Sequence, residues 1–194
     1  MSWNEELYKI YEFNGKRTFD ENEPVMLPVS HSTANAQIEL TISSDGEFKG
    51  ARTVDKSEAV TIIPATEDSA TRSSGICPMP FADKLVYVAG DYGEYAEGKR
   101  ADNSDFFIAY MNQLRRWLAS EYCHTAVKAL YSYLDKKCLM SDLVKAGILK
   151  TDDHTGKLLP KEKNIGYSSR RLFCPGYYKF CGRHHQNLGG QNAL

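Results

Sequence analysis

Residues 37–63, QIELTISSDGEFKGARTVDKSEAVTII, decide the fold class. Gln37-Ile38-Glu39-Leu40-Thr41-Ile42 alternates apolar and polar with a period of two, the pattern of a strand that buries one face. Ser44-Asp45-Gly46 then supplies turn chemistry. Glu47 to Val54 and Ala59 to Ile63 read as further strands, so the whole stretch is expected to form a small antiparallel meander. Pro64 closes it, because proline cannot donate to a ladder.

Upstream, Leu7, Ile10 and Tyr11 fall at helical spacing behind Ser2, with Trp3 on the same face. A short amphipathic helix over residues 3–12 is expected to open the chain and to end at Gly15. Pro24 and Pro28 mark a linker. Past Asn103 the period changes: Phe107, Tyr110, Met111, Leu114, Trp117 and Leu118 share one helical face, and Ser104 is placed to cap it. A second helix carries Val127, Leu130, Tyr131 and Leu134, and a third runs from Ser141 to Ala146 before Gly147. Ile148 to Leu159 reads as a hairpin around Asp153-His154-Thr155-Gly156. The order of elements predicts an α+β fold, a small antiparallel sheet with a helical block packed against it, and excludes the strand–helix alternation of a dinucleotide-binding sheet.

The chain has 194 residues, 42% of them hydrophobic, enough for a real core in one domain or two small ones. The start, Met1-Ser2-Trp3-Asn4-Glu5-Glu6, is acidic where a secretory signal is basic, and no apolar run approaches the ~20 residues that cross a bilayer. A cytoplasmic protein is expected. Five cysteines at irregular spacing argue for free thiols, with Cys123 and Cys138 buried. The formal charge of -1 gives no global attraction to nucleic acid, so any such binding needs a local patch. Lys157 to Arg171 is one, with five basic residues against the single acid Glu162; a solvated loop and a phosphate-facing surface both fit it.

No phosphate-cradling glycine loop, zinc-hydrolase helix or nucleophile elbow occurs, so no enzyme, catalytic residue or cofactor is indicated. His124 beside Cys123 reads as a capping or packing histidine, since helical neighbours point to different faces. Cys174, Cys181, His184 and His185 are soft ligand types, but their spacing fits neither half of a zinc site.

Between the strands and the helices lies a polar loop, TEDSATRSSG over residues 66–75, followed by Pro78 and Pro80, which stiffen the chain. Apolar Leu85-Val86-Tyr87-Val88 returns it to the core. Arg72, Ser73, Ser74 and Lys84 are donors suited to phosphates or base edges; a loop that only covers the sheet edge is the other reading.

The stretch IIPATEDSATRSSGICPMPFADKLVYVAGDYG, residues 62–93, resembles the Csd1-like family, the large subunit of the type I-C CRISPR surveillance complex, Cascade. The resemblance extends through FFIAYMNQLRRWLASEYCHTAVKALYSYLDKKCLMSDLVKAGIL and back to LYKIYEFN, about residues 3–173. Gly75, Pro78, Asp83, Tyr87 and Gly90 match the family pattern, and Lys84 sits where relatives carry Lys or Asn. Met79 departs from it: many relatives have Asn there, and methionine cannot make a bidentate contact to adenine. The resemblance implies a non-catalytic antiviral-defence subunit whose partners are other Cascade subunits, crRNA, target double-stranded DNA and a helicase-nuclease recruited after target binding. It implies recognition of the protospacer-adjacent motif and help in opening the duplex. An assembly scaffold contacting neighbouring subunits or guide RNA is the alternative.

Residues 1–173 read as the N-terminal domain of such a subunit. Residues 174–194, CPGYYKFCGRHHQNLGGQNAL, hold no acid and no apolar periodicity. Codons exist for Phe173 to Asn192 that, with one base dropped after the Phe173 codon, encode FVRAIINFVDGTTKTWEDK, a sequence similar to the family's continuation. The tail is therefore expected to be out of frame.

Overall fold

The computed structural model describes residues 3–15, 27, 30–70, 75–98, 101–159 and 172–173. It opens with helix α1 (Trp3–Gly15), whose first turn carries Glu5 and Glu6, the sign that suits a helix N-terminus. The helix is where the sequence placed it, and its apolar face is exposed. Trp3, Leu7, Tyr8, Ile10 and Phe13 are all exposed, Trp3 by 76%.

Strands β1 (His31–Asn35), β2 (Ile38–Ile42), β3 (Phe48–Thr53) and β4 (Val60–Pro64) follow. β2 and β3 form the expected antiparallel hairpin, from Ile38 opposite Thr53 to Ile42 opposite Phe48, with a bulge after Thr41. The meander stops there. β4 turns away and pairs antiparallel with β1, from His31 opposite Pro64 to Asn35 opposite Val60. Packing explains the change of partner: Ile63 on β4 buries with Ala34 on β1, Met79 and Ala82 in a small second core. Pro64 is the last residue of β4, as expected of a residue that cannot extend a ladder. A two-residue strand, β5 (Leu172–Phe173), lies parallel to β2 and completes a sheet in the order β3-β2-β5.

The helical part comprises α2 (Glu67–Ala70), α3 (Leu85–Val88), α4 (Tyr92–Tyr95), α5 (Ser104–Leu118), α6 (Thr125–Leu134) and α7 (Leu139–Lys145). α5 buries Phe107, Tyr110, Met111 and Leu114 as its periodicity requires, with Trp117 and Leu118 half-buried at its end. Ser104 is not its cap. Asn103 holds that position and turns its amide inward, donating to the carbonyls of Val86 and Ala89 at 2.9 Å each. Asp102 instead accepts from the Ser104 N–H and hydroxyl. α6 buries Val127, Leu130, Tyr133 and Leu134, and His124 caps it, its Nδ1 accepting from the Ala126 N–H at 3.1 Å. Cys123 and Cys138 are half-buried rather than buried, and both are free thiols, as is Cys77. The stretch 148–159 closes as a hairpin through the bridge between Thr151 and Leu158, its turn held by the Asp152 carboxylate. The α+β architecture thus stands, with a common core running from Ile38 and Leu40 of the sheet to Leu114, Leu130 and Leu143 of the helices.

Asp91 joins distant parts of this core. Its two carboxylate oxygens accept the N–H groups of Met140 and Ser141 at 3.0 Å each, satisfying the start of α7 from about fifty residues away. Burial is the larger influence on this carboxyl and raises its pKa above the ordinary value; the two backbone hydrogen bonds oppose it. A carboxyl raised in the folded state binds protons more tightly there than in the unfolded chain. Its contribution to stability is full below the unfolded-state pKa and is lost as pH rises through the folded one. The stability of the parent chain relative to Asp91→Asn, measured by urea unfolding, should therefore fall as pH is raised from about 4 toward neutrality. A gap that is constant or grows over that range would contradict the burial assignment.

Candidate nucleic-acid interface

β4 hands the chain at Pro64 to the segment 65–84, which returns to the core at α3. At its start Thr66 and Ser69 cap each other. The Ser69 N–H donates to Thr66 Oγ1, and the Thr66 N–H to Ser69 Oγ at 2.8 Å, a reciprocal box that launches α2. Arg72, Ser73 and Ser74 lie outside the described residues. Lys84, the fourth donor singled out from the sequence, is half-buried at the N-cap position of α3 in extended backbone conformation.

The returning part of the loop is held at many points. The Asp83 side chain is fully buried; one oxygen accepts the Met79 N–H and the other the Lys84 N–H, each at 2.7 Å. Gln113 of α5 donates its amide to the Pro78 carbonyl at 3.2 Å, and its own Oε1 is enclosed without a hydrogen-bond partner among the described residues. Ala82 N–H returns to the Pro80 carbonyl at 2.8 Å, closing a γ-turn around Phe81. Phe81 has φ of 68°, so this is the left-handed, strained form of the turn, a conformation that costs about 1–3 kcal/mol. The fold opposes that cost directly. The Tyr110 hydroxyl donates to the Phe81 carbonyl at 2.9 Å, and the buried Phe81 ring meets Trp117 edge-on at 6.2 Å between centroids.

Met79 has a different role from the one its sequence position suggested. Its side chain is only 6% exposed and packs with Ala34, Ile63 and Ala82, so it anchors the loop to the β1–β4 sheet and has no access to a base. Asp83 likewise is a structural carboxylate. Gly75, with φ of 84°, and Ile76 are exposed at the start of the described return. What this geometry supplies is a fixed return segment, from Met79 to Lys84, that enters the core at a set position.

Sequence reasoning placed Tyr110 and Gln113 on the α5 helix but did not see them as loop anchors. A tyrosine inside a buried face needs a partner for its hydroxyl, which was the available signal for Tyr110; Gln113 offered only a polar residue between core positions. The basic stretch 157–171 resolves at one end. Lys157 Nζ donates to the backbone carbonyls of Gly93 and Glu94, so it fastens the hairpin to α4 rather than facing a phosphate. Residues 160–171, and the soft-ligand residues Cys174, Cys181, His184 and His185, lie outside the described residues. Among the described residues no group of three or more His, Cys, Asp or Glu is placed to hold a metal, and no helix is long and apolar enough to cross a membrane. A cavity of about 360 Å³ lined by Gly90, Asp91, Glu94, Asn103 and Lys137 lies at the start of α5, and Lys84 takes no part in it.

No curated protein matches the chain. Residues 7–168 match the family described as CRISPR-associated protein (Cas_Csd1), a span that takes in most of α1, four strands, the pinned loop and every helix of the block behind it. With the loop and all the anchors that hold it inside that match, the chain belongs to the Cas_Csd1 family of CRISPR-associated proteins.

Proposed function

We propose that this chain is a non-catalytic DNA-recognition module of a type I-C Cascade complex, working in the cytoplasm. It helps to recognise the protospacer-adjacent motif and to open target duplex DNA, alongside other Cascade subunits, crRNA and a recruited helicase-nuclease. The observation that carries this reading is the strained turn at Phe81, locked by Tyr110 and Asp83 in the segment that follows the donor-rich stretch in sequence. Strain kept at such cost fits a surface that must meet a ligand in one geometry. Guide pairing reads the long sequence; Arg72, Ser73, Ser74 and Lys84 contact the phosphates or base edges of the short motif. Met79, being buried, sets the loop's position and leaves reading to these donors.

The test is a gel-shift titration of the reconstituted complex on duplexes with an intact or scrambled motif. The Arg72→Ala/Lys84→Ala variant should bind the intact duplex about tenfold more weakly, with a shallower salt dependence, while assembling normally. Unchanged affinity with intact assembly would favour the scaffold reading instead, for which the exposed Trp3, Leu7 and Tyr8 of α1 speak. Incubating the purified chain with DNA and a divalent metal should give no cleavage; robust cleavage would overturn the non-catalytic assignment.

A further inference from the structure

We propose that the cavity at the start of α5 is a docking pocket for one arginine side chain of a neighbouring protein subunit. It rests on the Cascade assignment only in taking that neighbour from the same complex. Binding of a small probe tests the pocket without that assumption, so the two can fail separately.

The pocket carries unbalanced charge. Asp91, Glu94, Asp102 and Lys137 all line the cavity of about 360 Å³, three carboxylates against one ammonium. Among the described residues none of the three carboxylates forms an ion pair, although Lys136, next to Lys137, reaches Glu47 at 2.7 Å. The Asp91 oxygens accept backbone N–H groups of α7, and Asp102 Oδ1 accepts the Ser104 N–H and hydroxyl. Such bonds stabilise a carboxylate without cancelling its charge. Burial, and to a smaller extent repulsion from Glu94, raises the pKa of Asp91, as expected of acids crowded into one site. A phosphate is repelled here and a cation attracted.

Asn103 adds an acceptor that the fold leaves unused. Only 6% exposed, it gives its amide N–H groups to the carbonyls of Val86 and Ala89. The nitrogen is thereby turned into the core and the oxygen the other way. Oδ1 makes no capping bond to α5 and no other hydrogen bond among the described residues. It is not sealed off either, since Gln113 Oε1 is the one enclosed side-chain polar atom without a partner among them. A buried side chain therefore offers an open acceptor to the cavity that it lines.

The walls suit a guanidinium. Phe107 supplies an aromatic face, and Lys137 Nζ lies 5.9 Å from the centre of its ring. Gly90 makes room for that arrangement: a Cβ there would come within 2.6 Å of Lys137 Cγ and 2.9 Å of Phe107 Cζ. The fold thus lays an ammonium on the ring without giving it a carboxylate. A planar guanidinium brings five donors for acceptors on several sides and a flat face for the ring, where an ammonium brings three donors and no face. Ile108, which also lines the cavity, is 54% exposed and gives the surface bearing such a side chain an apolar contact that a free polyamine would not use.

Titration of N-acetyl-arginine methylamide into the full chain, followed by nuclear magnetic resonance, should shift the Gly93, Asn103 and Ser104 amides to saturation with a dissociation constant on the order of millimolar. The neutral isostere N-acetyl-citrulline methylamide should bind about tenfold more weakly, and Glu94→Gln/Asp102→Asn should weaken the arginine probe by about as much. Lys137→Met keeps the apolar stem and removes the competing cation, so it should tighten the arginine probe about threefold, a gain that a damaged fold cannot produce. Equal binding of the two probes, or no change in either variant, overturns the pocket. In the reconstituted complex, the Glu94→Gln/Asp102→Asn chain should be retained about fivefold less well than the parent on washing, and excess arginine probe should release the parent. Full retention of the variant, or spermidine binding the parent as tightly as the arginine probe, overturns the assignment to a partner's arginine.

Discussion

Asp83→Ala is expected to unfold about 3 kcal/mol more easily than the parent chain in urea titration, one of the two largest single-residue effects anticipated in this fold. The carboxylate is completely buried and accepts the N–H groups of Met79 and Lys84 in the loop that it closes. Alanine takes this acceptor from the buried Met79 N–H and the part-buried Lys84 N–H, and a buried orphan costs about 1–3 kcal/mol. It also releases the chain on both sides of Phe81, whose left-handed conformation is stable only while its surroundings impose it. Asp83→Asn keeps one acceptor and should lose about half as much. If Asp83→Ala were instead within ~0.5 kcal/mol of the parent, as an ordinary surface change is, the pinned-loop account would fail.

The same substitution bears on function in a distinguishable way. A loop freed at its base still carries Arg72, Ser73, Ser74 and Lys84, so non-specific attraction to phosphates should persist, with discrimination between intact and scrambled motifs reduced. Loss of the donors themselves weakens both duplexes alike. The two variants therefore separate positioning from contact, which a single affinity measurement cannot do.

What the sequence revealed was what is encoded locally. The alternation from Gln37 to Ile42 and the 3.6-residue spacing from Phe107 to Leu114 each report one buried face, and both faces are buried in the structure. Pairing partners are another matter. β4 chose β1 because Ile63 finds Ala34, Met79 and Ala82 there, a choice that depends on a loop some fifteen residues further on. β5 is two residues long, too short for any period to register. Asn103 looked like the residue before a cap and Ser104 like the cap; the inward pull of two carbonyls at Val86 and Ala89 reversed them. At the candidate interface, composition disclosed a polar, proline-stiffened loop, and resemblance gave it a role. Its anchors stayed hidden because Tyr110 meets Phe81 across 29 positions and Gln113 meets Pro78 across 35, distances over which sequence pattern carries no information.

Gly46→Ala should cost a comparable ~3 kcal/mol, for a reason that concerns the joint between sheet and helices. Gly46 ends the β2–β3 turn with φ of 76°, where an L side chain is strained. A Cβ there would lie 2.8 Å from Ser132 Cβ and 2.9 Å from the Ala129 carbonyl oxygen, both on α6, and the second of these is backbone that cannot step aside. The close approach is reinforced from the helix end: Lys136 Nζ donates to the Gly46 carbonyl at 2.8 Å and pairs with Glu47 at 2.7 Å, while Phe48 stacks on Tyr133. Gly156 provides the control, since it also has positive φ, 66°, but no atom within 4 Å of an added Cβ. Gly156→Ala should therefore show the conformational cost alone, about 1 kcal/mol, and the excess at Gly46 measures how tightly the hairpin is seated. Equal losses at the two positions would mean that the turn does not bear on α6. A larger loss at Gly46, accompanied by a changed near-ultraviolet signal from Tyr133, would show that the sheet and the helical block unfold as one unit, which a loop strung between them needs in order to hold its shape.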